Sequence, residues 1–280
     1  MTGPCPEAET PSGKGAGDEN FPVGSILLPA RLRPHVAVFY AFARAVDDIA
    51  DNPRLAAADK IARLDGFAAA LLGRNDAPAF AKAHALRQSL AVLGVTTRHG
   101  EDLISAFRQD AVKTRYDSWS DLIAYCDRSA APVGRYLLDI HGEDPGLYPF
   151  SDALCNALQV INHVQDCGDD KRALDRIYLP RDWMAAAGAR EADLAGASLT
   201  PALRQVIDHC LQQTDALLVQ AAQLPRRLAS WRLANESRVI LRIAERLVSH
   251  LRRRDPLAQR VVLGKGEALW CALKGVLGPR

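Results

Sequence analysis

The chain has 280 residues, of which 48% are hydrophobic and 24% are charged, and its formal net charge is +2. This composition excludes a disordered or collagen-like chain, and no run approaches the roughly 20 apolar residues that a membrane-spanning helix needs. The six cysteines form no Cys-x-x-Cys pair and no Cys/His spacing suited to zinc, and the N-terminus lacks the apolar run of a secretory signal. We therefore predict a cytoplasmic protein with reduced thiols.

The charge is unevenly distributed along the chain. Residues 226–280 contain 13 basic and 4 acidic residues. A basic segment of this kind can balance an acidic remainder of the fold, or it can be attracted to anionic lipid. We favour the first interpretation and keep peripheral contact with the inner face of a membrane as the second, and we predict no nucleic-acid partner.

The order of the predicted elements indicates an all-α protein. Residues 1–17 are rich in Gly, Pro, Ser and Glu without periodicity, which predicts a disordered leader before a single domain over residues 18–280. From Pro34 onward apolar residues recur at intervals of three and four, and strand signals are nearly absent. The predicted helices cover about residues 34–50, 56–72, 78–93, 100–113, 119–141, 151–170, 200–223, 235–254 and 266–277.

The segment FYAFARAVDDIAD carries the first group of acids. On a helix, Tyr40, Arg44, Asp47 and Asp51 fall along one face, with Asp48 one step around. Like charges four residues apart destabilise a helix by about 0.2–0.5 kcal/mol. Three carboxylates on an otherwise apolar helix therefore predict a compensating cation.

The segment ALQVINHVQDCGDD carries the second group. Asn162, Asp166 and Asp170 follow one another at intervals of four, with Gln159 about one turn earlier and Asp169 beside them. The surrounding helix positions are apolar, so these side chains interrupt a face that should be packed, and buried carboxylates need partners or a metal. The second group repeats the pattern of the first.

Mg²⁺ suits both groups, because it prefers oxygen ligands and binds through one or two carboxylates together with substrate phosphates. A diphosphate held by such ions becomes a good leaving group, which indicates a reaction that ionises a substrate to a carbocation. The alternative is that each group is a solvated helix face, which is the usual meaning of a single D-x-x-x-D pattern. Two such groups on apolar helices, without Lys four residues away, favour the metal.

These segments together resemble the squalene/phytoene synthase family, and the likeness spans nearly the whole chain. That family joins two prenyl diphosphates head to head on an all-α isoprenoid-synthase fold, which implies a helical bundle with a central apolar cavity. Besides the two acidic segments, the matching motifs are Tyr125-Cys126 with Ala130-Ala131-Pro132-Val133-Gly134, and Arg176-Ile177-Tyr178-Leu179-Pro180.

The resemblance implies a role for each matching residue. Mg²⁺, which Mn²⁺ can replace, and the diphosphate would be bound by Asp47, Asp48, Asp51, Asn162, Asp166 and Asp170. Arg44, Tyr40 and Tyr178 would contact phosphate or steady the cation, since a guanidinium matches phosphate oxygens and an aromatic ring can face a cation. The structural alternatives are an ion pair for Arg44 and core packing for the two tyrosines.

Two features resemble the hydroxysqualene synthase branch of this family, which belongs to the bacterial hopanoid pathway. Gln165 stands where many members have Arg, and Glu19-Asn20-Phe21-Pro22-Val23-Gly24-Ser25 precedes the first helix. The branch converts presqualene diphosphate and water to hydroxysqualene and diphosphate, and this implies handover to other hopanoid enzymes and no need for NADPH. The implied substrate-binding residues are Asn20, Phe21, Ser25, Gln159 and Gln165.

Two alternatives remain open from the sequence. The first is a family member that condenses two C15 or C20 diphosphates. The second is a non-catalytic assembly protein on the same fold, although such proteins typically lose the acidic ligands and both groups are intact here. His163, one step from Asn162, is predicted to pack rather than to take part in chemistry.

Overall fold

The computed structural model describes residues 8–10 and 27–277, with side chains to residue 275. Helices dominate these residues, and their only strand-like feature is one isolated parallel bridge between Arg115 and Ile177. The prediction of an all-α fold is therefore confirmed. The described residues belong to two compact units, 1–113 and 114–280.

The first unit is built from four helices that pack on one another. They are α1 (Arg33–Ala50), α2 (Ala57–Leu71), α3 (Ala81–Leu93) and α4 (Arg98–Asp110). In its core, the ring of Phe67 packs edge-on against Phe42, with centroids 6.1 Å apart, and against Phe80, at 5.3 Å. Both Phe42 and Phe67 are fully buried, so α1 and α2 bury their apolar faces against each other.

The second unit is arranged around one central helix, α7, which packs against α5, α6, α10 and α12. Its helices are α5 (Trp119–Ser129), α6 (Ala131–His141), α7 (Tyr148–Gln165), α8 (Cys167–Leu174), α9 (Arg181–Ala187), α10 (Pro201–Ala221), α11 (Leu224–Arg227), α12 (Trp231–Arg253) and α13 (Lys265–Leu277). A Cβ atom on Gly134 of α6 would lie 2.3 Å from the Ser151 hydroxyl oxygen of α7. The close approach of these helices therefore requires glycine.

The structure corrects the predicted helices at two places. The helix predicted over 119–141 is interrupted at Ala130, because Pro132 has no N–H to donate and its ring clashes with the preceding turn. The helix predicted over 151–170 begins earlier, at Tyr148, and is interrupted at Asp166. Two short helices, α9 and α11, were not predicted.

The described cysteines are free thiols, as the sequence predicted. Burial raises the pKa of Cys155 and of Cys167 to about 12, so these thiols are protonated at neutral pH and unreactive. Cys5 lies outside the described residues. Among the described helices, none combines the length and apolar character needed to cross a membrane.

Candidate functional site

The first acidic cluster, Asp47, Asp48 and Asp51, lies at the C-terminal end of α1. Arg44, one turn earlier, donates from Nε to Asp48 Oδ1 at 3.0 Å and forms an ion pair with Asp47 Oδ2 at 3.3 Å. Asp48 is buried, whereas the Asp47 side chain is 28% exposed. Both carboxylates thus pair with Arg44, and that of Asp47 is the more exposed.

Charge is crowded around Asp47. Burial, together with the neighbouring carboxylate of Asp51, raises the pKa of Asp47 well above its usual range, and Arg44 opposes this rise. Asp48 and Asp110 raise it further. Asp110 is a buried residue of α4 that the sequence analysis did not select, because it is about 60 residues away along the chain. The crowding of carboxylates around Asp47 favours the binding of a cation.

The backbone that carries this cluster is held by two donors from elsewhere in the first unit. The Thr10 hydroxyl donates to the carbonyl of Asp48 at 3.0 Å, and Lys60 Nζ donates to the carbonyl of Ala50 at 2.7 Å. Carbonyls in the last turn of a helix have no partner within the helix. These donors therefore satisfy the end of α1 and fix its last turn.

The second acidic cluster, Asn162, Asp166 and Asp170, spans the interruption between α7 and α8. Backbone hydrogen bonds of 2.9 Å from Asp166 N–H to the Asn162 carbonyl, and of 2.8 Å from Asp170 N–H to the Asp166 carbonyl, preserve the spacing of four residues. Asp170 lies in the first turn of α8, where the helix dipole stabilises a carboxylate. The predicted spacing of four residues is therefore present, although the helix is interrupted at Asp166.

The neighbours of the second cluster have structural partners. The Gln165 side-chain amide donates to the carbonyl of Val261, in the segment that connects α12 to α13. Asp169 is 78% exposed and pairs with Arg172 at 2.5 Å. Gln159 is half-buried on α7, one turn before Asn162. The residue that replaces the expected arginine, Gln165, thus connects α7 to the C-terminal segment.

Tyr178 belongs to a buried aromatic group beside α7. Its ring stacks on the imidazole of His163 with centroids 3.5 Å apart, and on Tyr116 at 5.3 Å. Its hydroxyl accepts a hydrogen bond of 3.1 Å from the buried Arg176. Burial, with the charge of Arg176, lowers the pKa of His163 to about 3, so the imidazole is neutral at neutral pH. The prediction that His163 packs rather than ligates agrees with this stacking.

Arg115 holds the segment that contains Tyr178. It donates from Nε and Nη2 to the two carboxylate oxygens of Glu191, at 2.9 and 2.8 Å, and from Nη2 to Asp175 Oδ1 at 2.9 Å. The backbone adds a hydrogen bond of 2.9 Å from Ile177 N–H to the carbonyl of Thr114. Asp175 has a φ of +49°, which is uncommon for a residue with a side chain. The bidentate pairing of Arg115 with Glu191 fixes this segment in one geometry.

The donor atoms of each cluster fit Mg²⁺. Both clusters offer carboxylate or amide oxygens, carboxylates crowd around Asp47, and Asp166 is exposed. No group of three His, Cys, Asp or Glu side chains within the described ranges forms a ready metal cage.

The remaining predicted site residues lie either on α1 or outside the described residues. Tyr40 lies one turn before Arg44 on α1 and is half-buried. Asn20, Phe21 and Ser25, for which the resemblance implied substrate contacts, lie outside the described residues. Sequence reasoning did not select Asp110, Arg115 or Arg176 as site residues, and Arg176 was visible only as the first residue of a matching motif.

Known proteins resemble this chain in sequence over most of its length. The sequence model of the squalene/phytoene synthase family matches residues 15–267. The chain is 44% identical to the hydroxysqualene synthase of Zymomonas mobilis over 95% of this chain and 90% of the relative. It is also 44% identical to the hydroxysqualene synthase of Rhodopseudomonas palustris, over 91% and 87% of the two chains.

A solved structure agrees with these sequences. The crystal structure of squalene synthase HpnC from Alicyclobacillus acidocaldarius superimposes with a TM-score of 0.72 at 36% identity, over 82% of this chain and 87% of that one. With a family match that spans most of its length, the chain belongs to the squalene/phytoene synthase family.

Proposed function

We propose that the protein is a hydroxysqualene synthase, which converts presqualene diphosphate and water to hydroxysqualene and diphosphate. The observation that carries this proposal is the 44% identity to two hydroxysqualene synthases over more than nine-tenths of the chain. Both acidic clusters and the Tyr178 segment, which such a reaction needs, lie within the residues those relatives cover. No observation favours a condensing enzyme or a non-catalytic assembly protein over this activity.

The first step breaks the bond between carbon and the diphosphate oxygen, and both electrons leave with the diphosphate. Mg²⁺ held by acidic residues of this chain would neutralise the charge that develops on the leaving group. Asp47, Asp48 and Asp51 in the first cluster, and Asn162, Asp166 and Asp170 in the second, would offer the oxygen ligands. Arg44, already held against Asp47 and Asp48, offers guanidinium N–H groups to phosphate oxygens.

The carbocation that remains must rearrange before water reaches it. The resemblance assigns Tyr178 to steadying this cation, because an aromatic ring attracts a cation without forming a bond. The ring itself is buried and stacks on His163 and Tyr116. Neutral His163 stacks on that ring, and the guanidinium carbon of Arg176 lies 5.9 Å from the ring centre. The hydrogen bond from Arg176 engages the Tyr178 oxygen, so the phenol is a poorer competitor for water as a nucleophile.

The last step forms a bond between carbon and the oxygen of water and releases one proton. This reaction is balanced without a reductant, so we propose that the enzyme consumes no NADPH. We also propose that it hands hydroxysqualene to the next enzyme of the hopanoid pathway.

Substrate choice tests the proposal. Purified protein with Mg²⁺ is incubated separately with farnesyl diphosphate and with presqualene diphosphate, and the lipid products are separated by chromatography. We expect presqualene diphosphate to give a C30 alcohol and farnesyl diphosphate to remain. Consumption of farnesyl diphosphate with presqualene diphosphate untouched would instead identify a condensing enzyme, and inertness toward both with no binding would identify an assembly protein.

A further inference from the structure

The last described helix, α13, exposes large apolar side chains. Leu269, Trp270 and Leu273 are 62%, 53% and 52% exposed, and their spacing places them on one side of the helix. Exposed single apolar residues are ordinary, but neighbouring leucine and tryptophan side chains on one face form a patch. Such a patch marks an interaction surface.

The opposite side of α13 is firmly packed on α12. Cys271 is fully buried, and a Cβ atom on Gly275 would lie 2.6 Å from Val239 Cγ2. Glu267 Oε1 accepts from Arg246 Nε at 3.0 Å and lies 3.0 Å from His250 Nε2. The helix is therefore held with its apolar side outward, and exposure of that side does not result from poor docking of α13.

Positive charge borders the apolar side. Lys265 and Lys274, at opposite ends of α13, are exposed and form no ion pair within the described ranges, and Lys274 Nζ lies 5.8 Å from the centre of the Trp270 ring. The one acid of the helix, Glu267, is already paired with Arg246. Residues 226–280 carry 13 basic and 4 acidic side chains. The border of the patch is thus basic.

We propose that the outward face of α13 docks on an anionic lipid bilayer, with the helix lying along the surface. Leucine and tryptophan would enter the boundary between headgroups and acyl chains, and Lys265 and Lys274 would face lipid phosphates. A second copy of the chain fits less well, because two basic faces would repel each other. Docking concerns lipid binding alone, so its failure is distinguishable from failure of the proposed catalytic function.

Vesicle sedimentation tests the docking. Full-length protein is mixed with phosphatidylglycerol vesicles and with phosphatidylcholine vesicles, without substrate. We expect wild type to favour the anionic vesicles, and L269Q/W270Q/L273Q to bind them about tenfold more weakly. K265Q/K274Q should lose most of the preference for anionic lipid. The matched control is V219Q on α10, because Val219 is 72% exposed and should leave binding unchanged.

Each other outcome overturns the proposal. Wild type that stays in solution with both vesicles, or a triple variant that sediments like wild type, excludes docking through α13. Sedimentation velocity adds the second check: a wild-type dimer that the triple variant converts to monomer identifies another copy of the chain as the occupant. The single variant L269Q, which changes less apolar surface, keeps the test decisive if the triple variant loses its helical circular dichroism.

Discussion

The two acidic clusters repeat one spacing but are held in different ways. In the first cluster, the acids lie at the end of one helix and Arg44 pairs with acids three and four residues ahead of it. In the second cluster, the helix is interrupted at Asp166, and the surrounding segments are fixed by contacts between residues 60 to 96 positions apart. An arginine of the same helix pairs with acids of the first cluster, whereas contacts from distant segments surround the second.

This difference has a functional consequence. The acids of the first cluster have a charged partner on their own helix, and their backbone is held by Thr10 and Lys60. A cluster beside a helix interruption depends on contacts such as Gln165 with Val261 and Arg115 with Glu191. Distant substitutions should therefore disturb the second unit more than the first.

The largest expected effect is the loss of turnover when either cluster loses one acidic side chain. Asp47→Asn and Asp166→Asn should each lower turnover of presqualene diphosphate by at least about 10³-fold, because each removes a charged ligand from its cluster. Steady-state kinetics measures the loss, and far-ultraviolet circular dichroism should remain unchanged. Asp169→Asn is the control, since Asp169 is exposed and paired with Arg172. Wild-type turnover in either cluster variant would remove that cluster from the mechanism.

Arg44→Gln should lower turnover by about 10²-fold, because a guanidinium that matches phosphate oxygens is lost. The free energy of unfolding should fall by about 1–3 kcal/mol, since buried Asp48 loses its charged donor. Urea denaturation measures this change. Arg98→Gln is the control, because the same spacing of four residues joins Arg98 to Asp102 at an exposed position. Equal behaviour of the two variants would show that Arg44 is only a surface ion pair.

Arg115→Gln should lower turnover about tenfold while preserving helical content, because the segment with Tyr178 loses its clamp. Glu191→Gln should have a similar effect, and the double variant should be little worse than either single variant. Arg190→Gln, at the exposed neighbouring position, is the control. Additive losses in the double variant would mean that the Arg115–Glu191 pair does not act as one unit.

The smallest effect concerns pH. Hydrogen bonds from Lys171 and Arg115 lower the pKa of Asp175, and one from Arg115 lowers the pKa of Glu191. The unfolded chain binds protons at these two carboxylates at a higher pH than the folded chain does. The stabilisation that the two ion-paired carboxylates give to the folded state is therefore present above their ordinary pKa values, and it is lost as pH falls through their lowered pKa values. The urea concentration at the unfolding midpoint should therefore decrease more between about pH 6 and about pH 3.5 for wild type than for Arg115→Gln. Parallel declines would contradict this.

The same contrast explains what the sequence could predict. The spacing of apolar residues predicted α1 to within one residue, and the faces of Arg44, Asp47 and Asp48 followed from helix geometry alone. It could not show that Tyr178 stacks on His163 or that Arg115 reaches Glu191, 76 residues away, because these contacts depend on how segments return to α7. The interruption at Asp166 was hidden for a similar reason: Gly168 lies against Leu257, and a Cβ atom there would be 2.6 Å from Leu257 Cδ2.

Isotopic labelling tests the central claim most directly. A single turnover of presqualene diphosphate in water enriched with ¹⁸O locates the bond that breaks. We expect ¹⁸O in the hydroxyl group of the C30 product and none in the released diphosphate, because water attacks carbon after the diphosphate has left. Label in the diphosphate and not in the alcohol would show attack of water on phosphorus, which would contradict ionisation of the substrate.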